Sequence, residues 1–239
     1  MPIPKKITPN PVVEAVVELR FDTNIPSEAV LGVVYPVLQE IINGEFEKLP
    51  ILQLPEHVRM NDHNLKFAPH FKFKNDSYQV NIGPRVLAIV AVQPYKGWEE
   101  YSPLINKILS SFDDLNIIRT ISRLGVRYID FFNDIDINEK LKFKVQGFPY
   151  TLNDLTLSSS FKVRTPFTTN LHIATNQTIV TNNSTVSGSI FDTDTYIECN
   201  DPYSLNDILE RIESAHDVGK EVFFSSMNDD FIASLNPEY

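Results

Sequence analysis

Three arginines and two glutamates have the spacing that best fits binding chemistry: Arg20, Arg123, Arg127, Glu14 and Glu18. In the run ISRLGVRYID, alternation sets Arg123, Gly125 and Arg127 on one face of a strand and Leu124, Val126 and Tyr128 on the other. In VVEAVVELRF, Glu14, Glu18 and Arg20 share a face with Val12 and Val16, opposite Val13, Ala15, Val17, Leu19 and Phe21. If the two strands lie in one sheet, their apolar faces go to the same helices and their charges meet on the other side. Such a set can form a cross-strand ion-pair network. The sharper alternative is that it lines a concave sheet face that takes an anionic ligand or an acidic partner segment, and a third is that it joins two halves of the molecule. Because an unpaired charge is costly once partly covered, Arg123 or Arg127 is expected within ion-pair reach of Glu14 or Glu18.

Other groupings are less specific. Lys66, His70, Lys72 and Lys74 alternate with Leu65, Phe67, Phe71 and Phe73, and Arg85 can join them across a turn. Alternating lysine and phenylalanine reads as a half-buried strand, with a local phosphate or nucleic-acid site as the rival. Asp192, Asp194 and Glu198 fall on one face of SGSIFDTDTYIEC, as an acidic sheet edge that resists strand pairing or, less simply, as metal or acid–base carboxylates. No HExxH, P-loop, GxGxxG or nucleophile elbow occurs, and Cys199 is the only cysteine, so no metal site or cofactor is expected. His216 sits beside the apolar stripe of a helix and reads as a core histidine with one hydrogen-bond partner.

The elements that must position these residues form an α+β pattern. After the strand of residues 12–21, Val30, Val33, Val34, Val37, Leu38 and Ile41 mark a helix, entered through Asn24 or Ser27 as a cap, with Pro36 kinking it or marking its true beginning. LPILQLP, NLKFAPHFKFK, YQVNIG and RVLAIVAVQ read as strands. Tyr101, Leu104, Ile105, Ile108, Leu109, Phe112 and Leu115 form the clearest helical stripe, leading into the strand of residues 121–132. Past a polar stretch at 133–139, LTLSSSFKV, NLHIAT, TIVTNN and SGSIFDTDTYIEC read as four more strands. A last helix opens at Ser204 with Asp207 as a weak capping box. The expected fold is α+β, with mainly antiparallel sheet covered by long amphipathic helices. Residues 1–133 (β-α-β-β-β-α-β) and 134–239 (strands plus a helix) can be read as two similar sheet-plus-helix halves packed as one unit.

The segments NPVVEAVVELRF (10–21), PYKGWEEY (94–101), RLGVRYID (123–130) and AHDVGKEVFFSSM (215–227), in this order, resemble a sporadically distributed family of uncharacterised bacterial proteins. The resemblance covers nearly the whole chain and carries no catalytic residue with it. The family's patchy distribution implies an accessory, defence or toxin-related locus.

Composition narrows the function classes. With 239 residues and 42% apolar side chains the chain has material for a sizeable core. A net charge of −10 repels polyanions and makes nucleic acid an unlikely partner. No run reaches the roughly 18 to 20 apolar residues of a membrane span, and the single cysteine fits a reducing cytoplasm. The expectation is a soluble cytoplasmic, non-enzymatic interaction protein with a protein partner or a second copy of itself. The alternative is an enzyme with a dispersed site around Arg20, Arg123 and Arg127.

Overall fold

The computed structural model describes residues 2–63, 65–143, 154–180 and 185–239. Strand β1 (Val12–Thr23) buries Ala15, Val17, Leu19 and Phe21 and leaves its even-numbered residues partly exposed, as its alternation dictates. A short 3-10 turn at Ser27–Ala29 leads into helix α1 (Val30–Ile42), which accommodates Pro36 inside it and has no side-chain cap. Asn24 instead donates from Nδ2 to Asn116. Strand β2 (Glu45–Lys48), a 3-10 turn at Pro50–Gln53 and helix α2 (Glu56–Asn61) follow. Strands β3 (Phe71–Lys74), β4 (Tyr78–Gly83) and β5 (Val86–Val92) form a meander. Helix α3 (Trp98–Asp114) buries Tyr101, Ile105, Ile108, Leu109 and Phe112, and strand β6 (Ile118–Asn133) comes next. Strands β7 (Thr156–Phe161), β8 (Thr168–Val180) and β9 (Thr185–Pro202) form a second meander. Helices α4 (Leu205–Ser226) and α5 (Asp229–Ser234) follow it.

Among the described residues the strands make one antiparallel sheet in the order β2-β3-β4-β5-β1-β6-β9-β8-β7. The architecture is therefore α+β, with nine strands and five α-helices among the described residues. The sheet is continuous across the division at 133/134, because β6 on one side of it pairs with β9 on the other. One core joins β1, β4, β5 and β6 to apolar residues of α1, α3 and α4, and a smaller one gathers Phe132, Ile173, Phe191, Phe223 and Phe231.

Several expectations need correction. LPILQLP is not a strand: Pro50 starts a helical turn, and the neighbour of β3 is supplied by Glu45–Lys48 instead. The strand expected from Leu65 begins only at Phe71, because Pro69 precedes it and residues 65–67 form a turn. Leu115 lies past the end of α3 and is 36% exposed. Ser204 makes no side-chain capping bond. NLHIAT and TIVTNN are one strand, β8, as far as Val180, and the expected turn at 181–184 lies outside the described residues.

Candidate functional site

The charged residues picked out by alternation meet across three adjacent strands. β1 and β6 are antiparallel neighbours that set Val16 opposite Arg127, Glu18 opposite Gly125 and Arg20 opposite Arg123. β6 and β9 set Arg127 opposite Asp194, Gly125 opposite Tyr196 and Arg123 opposite Glu198. The period of two then places Glu14, Glu18, Arg20, Arg123, Arg127, Asp192, Asp194, Tyr196 and Glu198 on one face, opposite the buried Leu124, Val126, Phe191 and Ile197.

Arg123 is the hub. Its Nη1 donates to Glu18 Oε1 at 2.8 Å and its Nη2 to Asp194 Oδ2 at 2.7 Å, so one guanidinium ties β1 to β9 across β6. The guanidinium also stands over the Tyr196 ring, 4.6 Å from its centroid. Its side chain is only 12% exposed, which makes both pairings matter more than an ordinary surface pair would. Arg20 Nε donates to the same Glu18 Oε1 at 2.9 Å, and its guanidinium lies 5.2 Å from the Phe67 centroid. Arg127 grips Asp192 with two bonds, Nε to Oδ1 at 2.9 Å and Nη2 to Oδ2 at 2.6 Å.

The expected ion pair therefore exists between Arg123 and Glu18, whereas Arg127 turns to Asp192 rather than to Glu14 or Glu18. The acidic-edge reading of Asp192 and Asp194 is overturned, because β9 is an interior strand and these carboxylates hold Arg127 and Arg123 of its neighbour. Burial raises the Asp194 carboxyl pKa above the usual carboxylate range, against the lowering effect of Arg123.

Beside this network lies an open depression of about 490 Å³, lined by Arg127, Ser158, Ser160, Asn170, His172 and Asp192 among others. Ser158 Oγ and His172 Nδ1 are 2.9 Å apart, and the pairing brings Ser158, His172 and Asp192 side by side on β7, β8 and β9. Ser158, Ser160, Asn170 and His172 could not be grouped from the sequence, since only the register of β8 between β7 and β9 aligns them with Asp192.

The lysine patch is dispersed. Lys72 pairs with Glu47 at 3.6 Å and Lys74 with Glu45 at 3.2 Å, while Arg85 pairs with Asp22 at 3.3 Å and Lys66 lies over Phe67. His70 is buried beside Arg59, and burial, then that charge, lower its pKa to about 4. No shared basic surface results.

On the opposite face, Tyr128 Oη and His216 Nδ1 share a hydrogen bond of 2.7 Å, and the imidazole stacks on Trp98 with ring centroids 4.1 Å apart. His216 is thus a core histidine with a partner, as its sequence position suggests. Burial, then Lys220, lower its pKa to about 3. Asp130 is 3% exposed, and burial, then the Asp192 charge, raise its pKa to about 8. Its phase with Leu124, Val126 and Tyr128 in RLGVRYID was the available signal that this carboxylate would be buried.

Among the described residues no three His, Cys, Asp or Glu side chains group to hold a metal ion. Among the described residues no helix is long and apolar enough to cross a membrane. No family model matches the chain, and no curated protein matches it.

Proposed function

We propose that this is a non-enzymatic interaction protein of the bacterial cytoplasm, serving an accessory or defence-related locus, and that it meets a protein partner through the charged face of β1, β6, β9 and β8. The observation that carries this reading is the saturation of the arginines: Glu18 and Asp194 hold Arg123, and both oxygens of Asp192 hold Arg127. An anion receptor needs guanidinium groups that can turn to a ligand, and here carboxylates of adjacent strands already occupy them. The same fact weighs against a dispersed active site around Arg20, Arg123 and Arg127. A fixed, charge-paired platform suits a macromolecular surface, whose complementarity gives specificity and register.

Two further points support the picture. The segments that carry the family resemblance converge, since Trp98, Tyr128 and His216 touch and β1 pairs with RLGVRYID. The strand order also reads alike outward from the β1–β6 seam, as β5, β4, β3 on one side and β9, β8, β7 on the other. Each meander is followed by one long helix, α3 or α4. We read these as two copies of one sheet-plus-helix unit, with helices against one face of the sheet and the charged face open. The boundary between the copies then falls between α3 and β6 rather than at 133/134.

A photo-crosslinking residue at Asn170, on the charged face, tests the proposal against the same residue at Lys107 on α3. A discrete cross-linked protein is expected from position 170 and none from 107. Turnover of a small molecule that Arg123→Lys or Arg127→Lys abolishes, with the fold intact, overturns it in favour of the enzyme.

A further inference from the structure

The two ends of the sheet are defended differently. At one end β2 is four residues long and carries Glu45, Glu47 and Lys48, two of them ion-paired to β3. Short, charged edge strands resist pairing with other chains. At the other end β7 reads TLSSSF, with no charge and no proline, and among the described residues it pairs with β8 alone. Leu155 O accepts from Thr175 N–H at 3.0 Å. That sets the odd-numbered residues of this segment as those bonded to β8. Alternation turns the amide and carbonyl groups of Thr156, Ser158 and Ser160 outward. The side chains of the same even-numbered residues lie on the charged face, where Ser158 and Ser160 line the depression of about 490 Å³.

Resting on the reading of the molecule as an interaction protein, we infer that β7 accepts an extended basic segment of a partner protein as a tenth strand. Strand addition supplies backbone hydrogen bonds, and alternate side chains supply specificity. Alternate lysines or arginines of such a strand would extend over the small Ser158 and Ser160 toward Asp192 and Asp194. Each of these carboxylates holds one arginine, Asp192 Arg127 and Asp194 Arg123, and of the two arginines only Arg127 lines the depression. Across β1, β6 and β9 this face is acidic too, with Glu14, Glu18, Asp192, Asp194 and Glu198 against Arg20, Arg123 and Arg127. The same charge argues against a second copy at this edge, since two such edges would bring like depressions together. With a net charge of −10 the chain draws cationic partners and repels acidic ones.

The test uses a fluorescent peptide of alternating lysine and threonine, about eight residues long, and its glutamate counterpart, followed by anisotropy. The whole protein should bind the lysine peptide and not the glutamate one, with affinity falling as salt rises. Ser160 is exposed, so its charge can be set either way without touching the ion pairs. Ser160→Glu should tighten binding and Ser160→Lys weaken it, each by about threefold or more. Ser160→Pro, which removes an outward amide, should abolish binding with an unchanged circular dichroism spectrum. Equal affinities for Ser160→Glu and Ser160→Lys, or peptide-induced shifts confined to amides away from β7, overturn the inference. So does a dimer in sedimentation that Ser160→Pro dissolves, which would make the occupant a second copy. If the peptide fails while the cross-link from position 170 persists, only the basic strand is lost. If both fail, the interaction reading falls as well.

Discussion

The guanidinium of Arg123 lies across Gly125, so close that a Cβ at residue 125 would stand 2.8 Å from Nη1. Glycine leaves that space open, and no unusual backbone angle calls for it there. Its bare Cα gives Arg123 a path over the sheet to Glu18 on one side and Asp194 on the other. Gly125→Ala should therefore push the guanidinium off both partners. In a double-mutant cycle, Arg123 and Glu18 should couple by about 1 to 3 kcal/mol with Gly125 present, and by much less with alanine. Equal coupling in both backgrounds would show that the arginine finds another route.

Asp130 makes stability depend on pH on the alkaline side. Its folded pKa is raised from 3.8 to about 8, so between those values the folded state keeps a proton that the unfolded state gives up. Stability should then fall as pH rises from about 4 to about 8 and be flat beyond. Asp130→Asn should remove that slope and raise stability at pH 8 by on the order of a few kcal/mol. Urea melts of the two proteins across this range decide it, and an unchanged slope in the variant would rule Asp130 out as its source.

His216 acts in the opposite direction. Its folded pKa is lowered from 6.5 to about 3, so in that window the unfolded state binds the extra proton. The stability it supports is complete above about pH 6.5 and is lost as pH falls toward 3. Trp98, stacked on the ring, is the single tryptophan of the chain and reports unfolding directly. His216→Phe should flatten the acid-side slope in fluorescence-monitored melts. The same slope in the variant would place its origin elsewhere.

Ile108 is wholly buried on α3, whereas Leu104 is only partly so. Ile108→Ala should cost about 2 to 5 kcal/mol and Leu104→Ala clearly less. Urea unfolding that ranked Leu104 first would contradict the way this helix packs.

The long elements were legible because one face of each is mainly apolar. β1 and α3 carry unbroken stripes, and β6 one interrupted by Asp130, that leave a single way to bury them. The Arg123–Glu18 pair was legible for the same reason, since alternation fixed which residues share a face. Asp192 and Asp194 were visible but misread, because a strand's place within a sheet depends on pairing that its own residues do not encode. The segment from Leu49 to His70 failed on local chemistry. Pro50, Pro55 and Pro69 interrupt an apolar run whose composition otherwise suits a strand. Glu45–Lys48, with two glutamates and a lysine, offered almost no β signal, and its pairing with β3 is what makes it a strand.

The position of β1 has a consequence for how the chain is made. Both of its partners lie far downstream: Arg20 meets Val86 on β5, and Val12 meets Asp130 on β6. During synthesis this strongly apolar strand leaves the ribosome long before anything that can cover it, and α1 is the only long helix to emerge in the interval before β5. Pairing between such distant residues also slows folding, because a large loop must close before any contact rewards it. β1 thus stays incompletely paired until β6 has been made, and until then the newborn chain carries this apolar segment uncovered, a natural client for chaperones.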